Sequence, residues 1–171
     1  MKSRIPIEVV VGVLAAVSCL ATLPKLGLPL WALFVGWAWY FALGAKLSVF
    51  KQAYPSALAG IIVAAFNIWF LGVLSKVMPG FPALMLSVGI SVFLLMLVLK
   101  IPFTSCSLAG FNGFSITFAA FLGGAFPKTG NPGTDIVMAA LWVAIASFIG
   151  LWFGYFSVVF TLPIKDEAKS K

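Results

Sequence analysis

Six apolar runs follow one another along the chain, at about 6–23, 30–45, 55–74, 82–99, 103–126 and 135–160. Pro, Gly and Lys mark the breaks: Pro24, Lys25, Gly27 and Pro29 after the first, then Lys46, Lys51 and Gln52, then Lys76, Pro79 and Gly80. Lys100 and Pro102 follow the fourth run, and the turn-rich 128–133 follows the fifth. A helix that crosses a bilayer needs about 20 apolar residues. The pattern therefore predicts an all-α membrane protein with six transmembrane helices. The second run is short for a span. The fifth is interrupted by Thr104, Ser105, Ser107, Asn112 and Gly113, residues that could split it into two half-helices with exposed N–H groups.

One segment occurs twice. Residues 32–42 and 109–119 share Ala32/Ala109, Phe34/Phe111, Gly36/Gly113, Phe41/Phe118 and Ala42/Ala119, with the small pair Ala38/Ser115 between them. Each copy sits in the middle of three apolar runs. Three spans is an odd number, so the second half must thread the membrane from the opposite face. The expectation is a single membrane domain, 1–171, built from two inverted-topology three-helix repeats at about 6–77 and 82–160, with a cytoplasmic tail at 161–171. Ala64, Phe66 and Gly72 match Ala146, Phe148 and Gly154 at a constant shift and extend the duplication to runs three and six.

Composition agrees with this reading. The 171 residues are 63% hydrophobic and 9% charged, and the mean hydropathy is +1.15. A net charge of +7 is not a nucleic-acid signal, because the basic residues are scattered between apolar runs and form no patch. They read as topology signals. Six spans put Lys2, Arg4, Lys46, Lys51, Lys100, Lys165, Lys169 and Lys171 on one side, and Lys25, Lys76 and Lys128 on the other. The positive-inside bias then places both termini in the cytoplasm. The start, Met1-Lys2-Ser3-Arg4 before an apolar run, resembles a signal peptide, and we read it as the first span.

Little catalytic chemistry is on offer. The chain has no His, and its acids are Glu8, Asp135, Asp166 and Glu167. Cys19 and Cys106 lie in separate apolar runs and form no CxxC pair, so they read as small apolar fillers. No catalytic, metal or cofactor site is expected, and an intramembrane enzyme has no placed nucleophile–base pair to support it. Glu8 and Asp135 stand near predicted helix starts, where a carboxylate is favoured; a coupling or gating role is the other reading. No acid is expected near the bilayer centre, where ion-coupled pumps normally place one.

On a helix, Ala32 with Gly36, and Ala109 with Gly113, form small-residue stripes that let helices approach closely. Phe34 with Phe41, and Phe111 with Phe118, fall on the opposite stripe. Those rings are either ordinary packing residues or paired hydrophobic constrictions facing each other across the repeat axis. The copies also differ. Trp37, Trp39 and Tyr40 make one an aromatic wall, and Asn112, Ser115 and Thr117 give the other amide and hydroxyl groups. Those hydroxyls either line a path or bond back to the preceding turn. Asn112 and Asn67 are costly to bury unpaired.

The paired pattern Ala-x-Phe-x-Gly, closed by Tyr40-Phe41-Ala42 in one copy and Thr117-Phe118-Ala119 in the other, resembles the bacterial inner-membrane family catalogued as domain of unknown function 1097. The likeness covers about residues 6–160 and implies a small bacterial inner-membrane protein; it supplies no activity. From the residues themselves we expect a channel or facilitator for a small neutral polar solute, urea- or amide-like, or for a small anion. Its path would run between runs two and five, in a homo-oligomer embedded in the lipid bilayer. The alternative is a structural or accessory membrane subunit without permeation.

Overall fold

The computed structural model describes residues 5–161. Lys2, Arg4, Lys165, Lys169, Lys171, Asp166, Glu167 and the tail beyond Thr161 lie outside the described residues. The rest is helical: α1 (Ile7–Ser18), α2 (Leu30–Ala42), α3 (Ser48–Leu74), α4 (Gly80–Val98), α5 (Ser107–Gly123) and α6 (Pro132–Val159). Short 3-10 turns, Cys19–Thr22 and Pro102–Thr104, extend α1 and precede α5. No strand occurs among the described residues.

Three helices, α3, α4 and α6, are long and apolar enough to cross a membrane. With 27 residues and a rise of about 1.5 Å each, α3 spans about 40 Å. It starts seven positions before the predicted Pro55, which lies inside the helix. Proline there removes one N–H from the ladder, but a helix buried against others absorbs that loss. The fifth run is not split. Thr104 and Ser105 fold into the turn ahead of α5, where the Thr104 hydroxyl donates to the Val98 carbonyl at 2.6 Å, and Ser107 through Gly113 lie within one continuous helix.

The helix ends follow local chemistry. Asn131 caps α6, its side-chain oxygen accepting from Gly133 N (3.0 Å) and Thr134 N (3.4 Å), with Pro132 at the first helical position. That geometry starts the helix three residues before the predicted Asp135. Asp135 stands in the first turn of α6 and accepts from the Thr129 N–H and hydroxyl; Glu8 stands in the first turn of α1. Gly124 closes α5 with φ 64°, the left-handed conformation that glycine adopts without strain.

Helices from opposite halves of the chain pair. The main packing partner of α2 is α6, and that of α5 is α3; α4 lies on α3, α1 lies on α6, and α3 and α6 touch each other. Contacts fix the directions. Leu26 accepts from the Trp142 indole, the Leu33 carbonyl faces Gly150, and Trp37 reaches Ser157, so α2 and α6 run parallel. Cys106 N donates to Ser56 Oγ at 3.0 Å and the Gly110 carbonyl faces Gly60, so α5 and α3 also run parallel. Tyr54 meets Phe148 while Phe50 meets Trp152, so α3 and α6 are antiparallel.

At both parallel crossings the backbones touch. A Cβ on Gly36 would collide with the Ser147 carbonyl, and one on Gly150 with the Leu33 carbonyl. At the other crossing, Gly113 stands against the Ala57 carbonyl and Gly60 against the Gly110 carbonyl. The two sets correspond residue for residue. A shift of 77 takes Gly36 to Gly113 and Leu33 to Gly110, and a shift of 90 takes Ala57 to Ser147 and Gly60 to Gly150. Burial obeys the same shifts. Every buried position of α2 is buried in α5 at 77 on. Every buried position of α6, from Ala139 to Ser157, falls on a buried position of α3 at 90 back.

The shift of 82 that matched Gly72 with Gly154 is therefore corrected to 90. Gly154 abuts the Tyr40 ring, whereas nothing lies within 4 Å of a Cβ built on Gly72. Phe66 corresponds to Phe156 instead of Phe148. The stacked pair Phe66–Phe70 (5.6 Å, 13°) then has its counterpart in Phe156–Phe160 (5.8 Å, 15°).

Alanine at Gly36, Gly60, Gly113 or Gly150 should drive the helices apart and cost about 1–3 kcal/mol. Alanine at Gly72 or Gly89, where a Cβ meets open space, should be neutral or stabilising by about 0.5–1 kcal/mol. Thermal melting in detergent, followed by tryptophan fluorescence, checks this; equal melting temperatures for the two groups would refute the crossing geometry.

Candidate functional site

The projection of α2 divides its buried face in two. Leu33, Gly36, Trp37 and Tyr40 turn to α6, through the backbone contacts above, the 3.0 Å bond from Trp37 Nε1 to Ser157 Oγ and the contact of Tyr40 with Gly154. Ala32 and Trp39 lie about 100° round the helix from that stripe. In α5 the same division separates Gly110, Phe114 and Thr117, toward α3, from Ala109 and Ile116. Ala32, Trp39, Ala109 and Ile116 then meet in one buried cluster with Ala53, Ala57, Val143 and Ala146 of the two long helices. Four helices thus contribute to one buried cluster, which continues into the seams through Leu33, Trp37, Tyr40, Val49, Ile61 and Leu151.

Trp39 is the largest fully buried side chain, 1% exposed, and its indole Nε1–H finds no acceptor among the described residues. A buried donor left unpaired costs about 1–3 kcal/mol, and such groups in folded proteins call for an explanation. Its counterpart under the shift of 77 is Ile116, 6% exposed and without a polar atom. Two other buried side-chain atoms lack partners among the described residues, Asn67 Oδ1 and Ser91 Oγ. They belong to the α3–α4 contact, where Asn67 Nδ2 donates to the Ser87 carbonyl at 2.7 Å.

The sequence-derived candidates disperse. Phe34 and Phe111 are both 40% exposed and Phe41 is 39% exposed, so these rings point out of the bundle and do not oppose each other across the repeat axis. The cause is the pairing of α2 with α6 and of α5 with α3: the glycine stripe goes to the long helix, which turns the opposite stripe outward. Phe34, Trp37 and Phe41 border a shallow groove shared with Val11 and Ala15 of α1. Phe118 is half-buried and lines a groove of 490 Å³ with Trp69, Phe121 and Pro132.

Trp37 and Tyr40, 4% and 2% exposed, are committed to the α2–α6 seam. Tyr40 meets Tyr155 edge-on at 6.4 Å. Thr117 is buried with its hydroxyl donating to the Gly113 carbonyl at 2.8 Å, one turn back. Ser115 is exposed and Asn112 half-buried on the outer side of α5. Gly36 and Gly113 lie at the crossings themselves, and Ala32 and Ala109 are fully buried in the cluster that the four helices share. Trp39 was visible in the sequence only as one of three aromatics. The signal that separates it is its helical phase: it shares a face with Ala32, about 100° round the helix from the stripe that meets α6.

Neither the comparison with curated proteins nor that with solved structures gives a match. The family described as "Protein of unknown function (DUF1097)" matches residues 8–162, which takes in both copies of the repeated segment and all six helices except Ile7 at the start of α1, and the chain belongs to that family.

Proposed function

We propose that this protein is a membrane facilitator for a small neutral polar solute of the urea or amide type, or a small anion, conducting along the interior between α2 and α5. The observation that carries the reading is the unpartnered Trp39 indole N–H, buried in the cluster to which four helices contribute. A lone donor in a dry site suits a carbonyl oxygen or an anion, because either removes the penalty of the unmet bond. It is unsuited to a cation. With Trp39 and Ile116 filling the interior, the arrangement described is the closed one.

The finer architecture is part of the same proposal. The six helices are spans, and the two halves are inverted-topology repeats. Alternating spans require α2 parallel to α6, α5 parallel to α3, and α3 antiparallel to α6, and the contact directions agree. The conserved shifts of 77 and 90 support a duplication, a familiar plan for permeation pathways. The short α2 and α5 reach a bilayer's thickness only with their flanking turns or with local thinning. The same reading puts the chain in a bacterial inner membrane with both termini cytoplasmic, as a homo-oligomer.

A second reading, an accessory membrane subunit without permeation, is favoured by one observation: glycine–carbonyl crossings hold the helices at backbone contact, which leaves little room to open a path between them.

Two measurements test these proposals. Single cysteines introduced at positions 51, 76, 100 and 128, in a chain lacking Cys19 and Cys106, should label with an impermeant maleimide from one side at 51 and 100 and from the other at 76 and 128. Labelling of 51 and 76 from the same side would overturn the six-span arrangement. In proteoliposomes, urea or formamide should move faster than through empty vesicles. Trp39→Ala should raise the flux of every small solute, and Trp39→Phe should lower amide flux relative to glycerol by about fivefold, the worth of one hydrogen bond. Flux equal to that of empty vesicles for wild type and Trp39→Ala alike would leave the accessory reading.

A further inference from the structure

At the end of the molecule where α3 begins, a groove of 590 Å³ opens between the first turns of α3 and the turn that leads into α5. It belongs to neither the Trp39 interior nor the α2–α6 seam. Its polar rim is Ser48, Lys51 and Gln52 from α3 and Ser105 from the turn, and its walls are Pro55, Pro102 and Phe103. Lys51 is the one charged residue in the lining, and no carboxylate faces it there. The acids of the described residues stand elsewhere, Glu8 in the first turn of α1 and Asp135 in that of α6. Lys46 and Lys100 flank the groove in sequence and add to the positive field at this end. Phe103 is 70% exposed, an aromatic ring at the depth where a helix end meets its connecting turn.

We propose that this groove binds the headgroup and upper acyl region of an anionic phospholipid. Two features select that occupant. The cation and the adjacent hydroxyl and amide groups match a phosphate, which Lys51 attracts and Ser48 and Gln52 can hydrogen-bond. The walls are apolar, and a free phosphate would leave them against water, whereas a lipid's glycerol and acyl carbons cover them. Basic pockets between membrane helices recognise acidic headgroups in this way, each lysine strengthening the attraction severalfold. The lysine stem can lie along the proline walls while its ammonium reaches the phosphate. The proposal needs α3 to be membrane-embedded. It does not need a conduction path, so it stands or falls independently of the facilitator reading.

The test uses the full chain purified in a neutral detergent, with phosphatidylglycerol, phosphatidylcholine or inorganic phosphate added in parallel. Phosphatidylglycerol should raise the melting temperature and appear as a bound lipid in native mass spectra, and phosphatidylcholine should do neither. Lys51→Gln should weaken phosphatidylglycerol binding about fivefold, and Lys76→Gln, at the other end of α3, should leave it unchanged. Phe103→Ala gives a second variant on the apolar wall and should weaken the same lipid without altering any response to phosphate. Equal effects of the two lipids, or equal losses from Lys51→Gln and Lys76→Gln, would overturn the proposal. A Lys51-dependent shift with inorganic phosphate, to which phosphatidylglycerol adds nothing, would overturn it in favour of a free anion.

Discussion

Everything in this molecule depends on two places where helix backbones touch. In the membrane setting that we propose for these helices, lipid tails solvate apolar side chains about as well as other helices do, so burial alone gives helices little reason to associate. What remains is close packing, and it is strongest where no side chain separates the backbones. Gly36 against the Ser147 carbonyl and Gly113 against the Ala57 carbonyl provide that, and Gly150 and Gly60 reciprocate from the other side of each crossing. Each crossing joins a helix of one half to a helix of the other, so the closest packing of each half is made with its partner. The crossings also set rotation: once the glycine stripes of α2 and α5 face the long helices, the outward position of Phe34 and Phe111 and the inward position of Trp39 and Ile116 follow.

The fold was largely legible from the chain, and the reasons differ by element. Apolar run length located all six helices, because Pro, Gly and Lys interrupt the runs where the chain turns. The start of α3 was not legible. Lys51 and Gln52 read as a loop and Pro55 as a boundary, yet the helix runs through them; a lysine near a helix end can extend its stem and keep its head group in a polar setting, and a helix packed against others absorbs one missing hydrogen bond. The glycines of the repeated segment were legible as packing residues, but their partner was not. Small-xxx-small spacing says that a helix approaches closely and leaves open which one does.

That gap explains why the sequence left the aromatic rings open between ordinary packing and paired constrictions. Setting the two copies of the repeat face to face made Phe34, Phe41, Phe111 and Phe118 an interior set. The same geometry, with α6 and α3 as partners, makes three of the four an exterior one. The register of the long helices failed for a related reason. Alanine, phenylalanine and glycine are common in membrane helices, so identities at a shift of 82 arise readily. Burial and backbone contact carry more information per position, and they select 90.

The two halves are alike at their backbone crossings and unlike away from them. At the crossings each contact has its counterpart under the same pair of shifts, as packing of this tightness demands. Off the crossings the constraint relaxes, and there the halves diverge: Trp39 against Ile116, Tyr40 against Thr117, Asn67 against Ser157. Two of these differences have a structural account: Tyr40 packs against Gly154 while Thr117 donates back to the Gly113 carbonyl, and Asn67 and Ser157 serve different partners. Ser157 accepts the Trp37 indole N–H, and Asn67 donates to the Ser87 carbonyl. Trp39 has none. An isoleucine serves the equivalent position and fills it without a buried donor, so packing does not require the indole nitrogen. A group that packing does not need, and that folding is made less favourable by keeping, is the place in this interior where a function other than holding the helices together is to be sought.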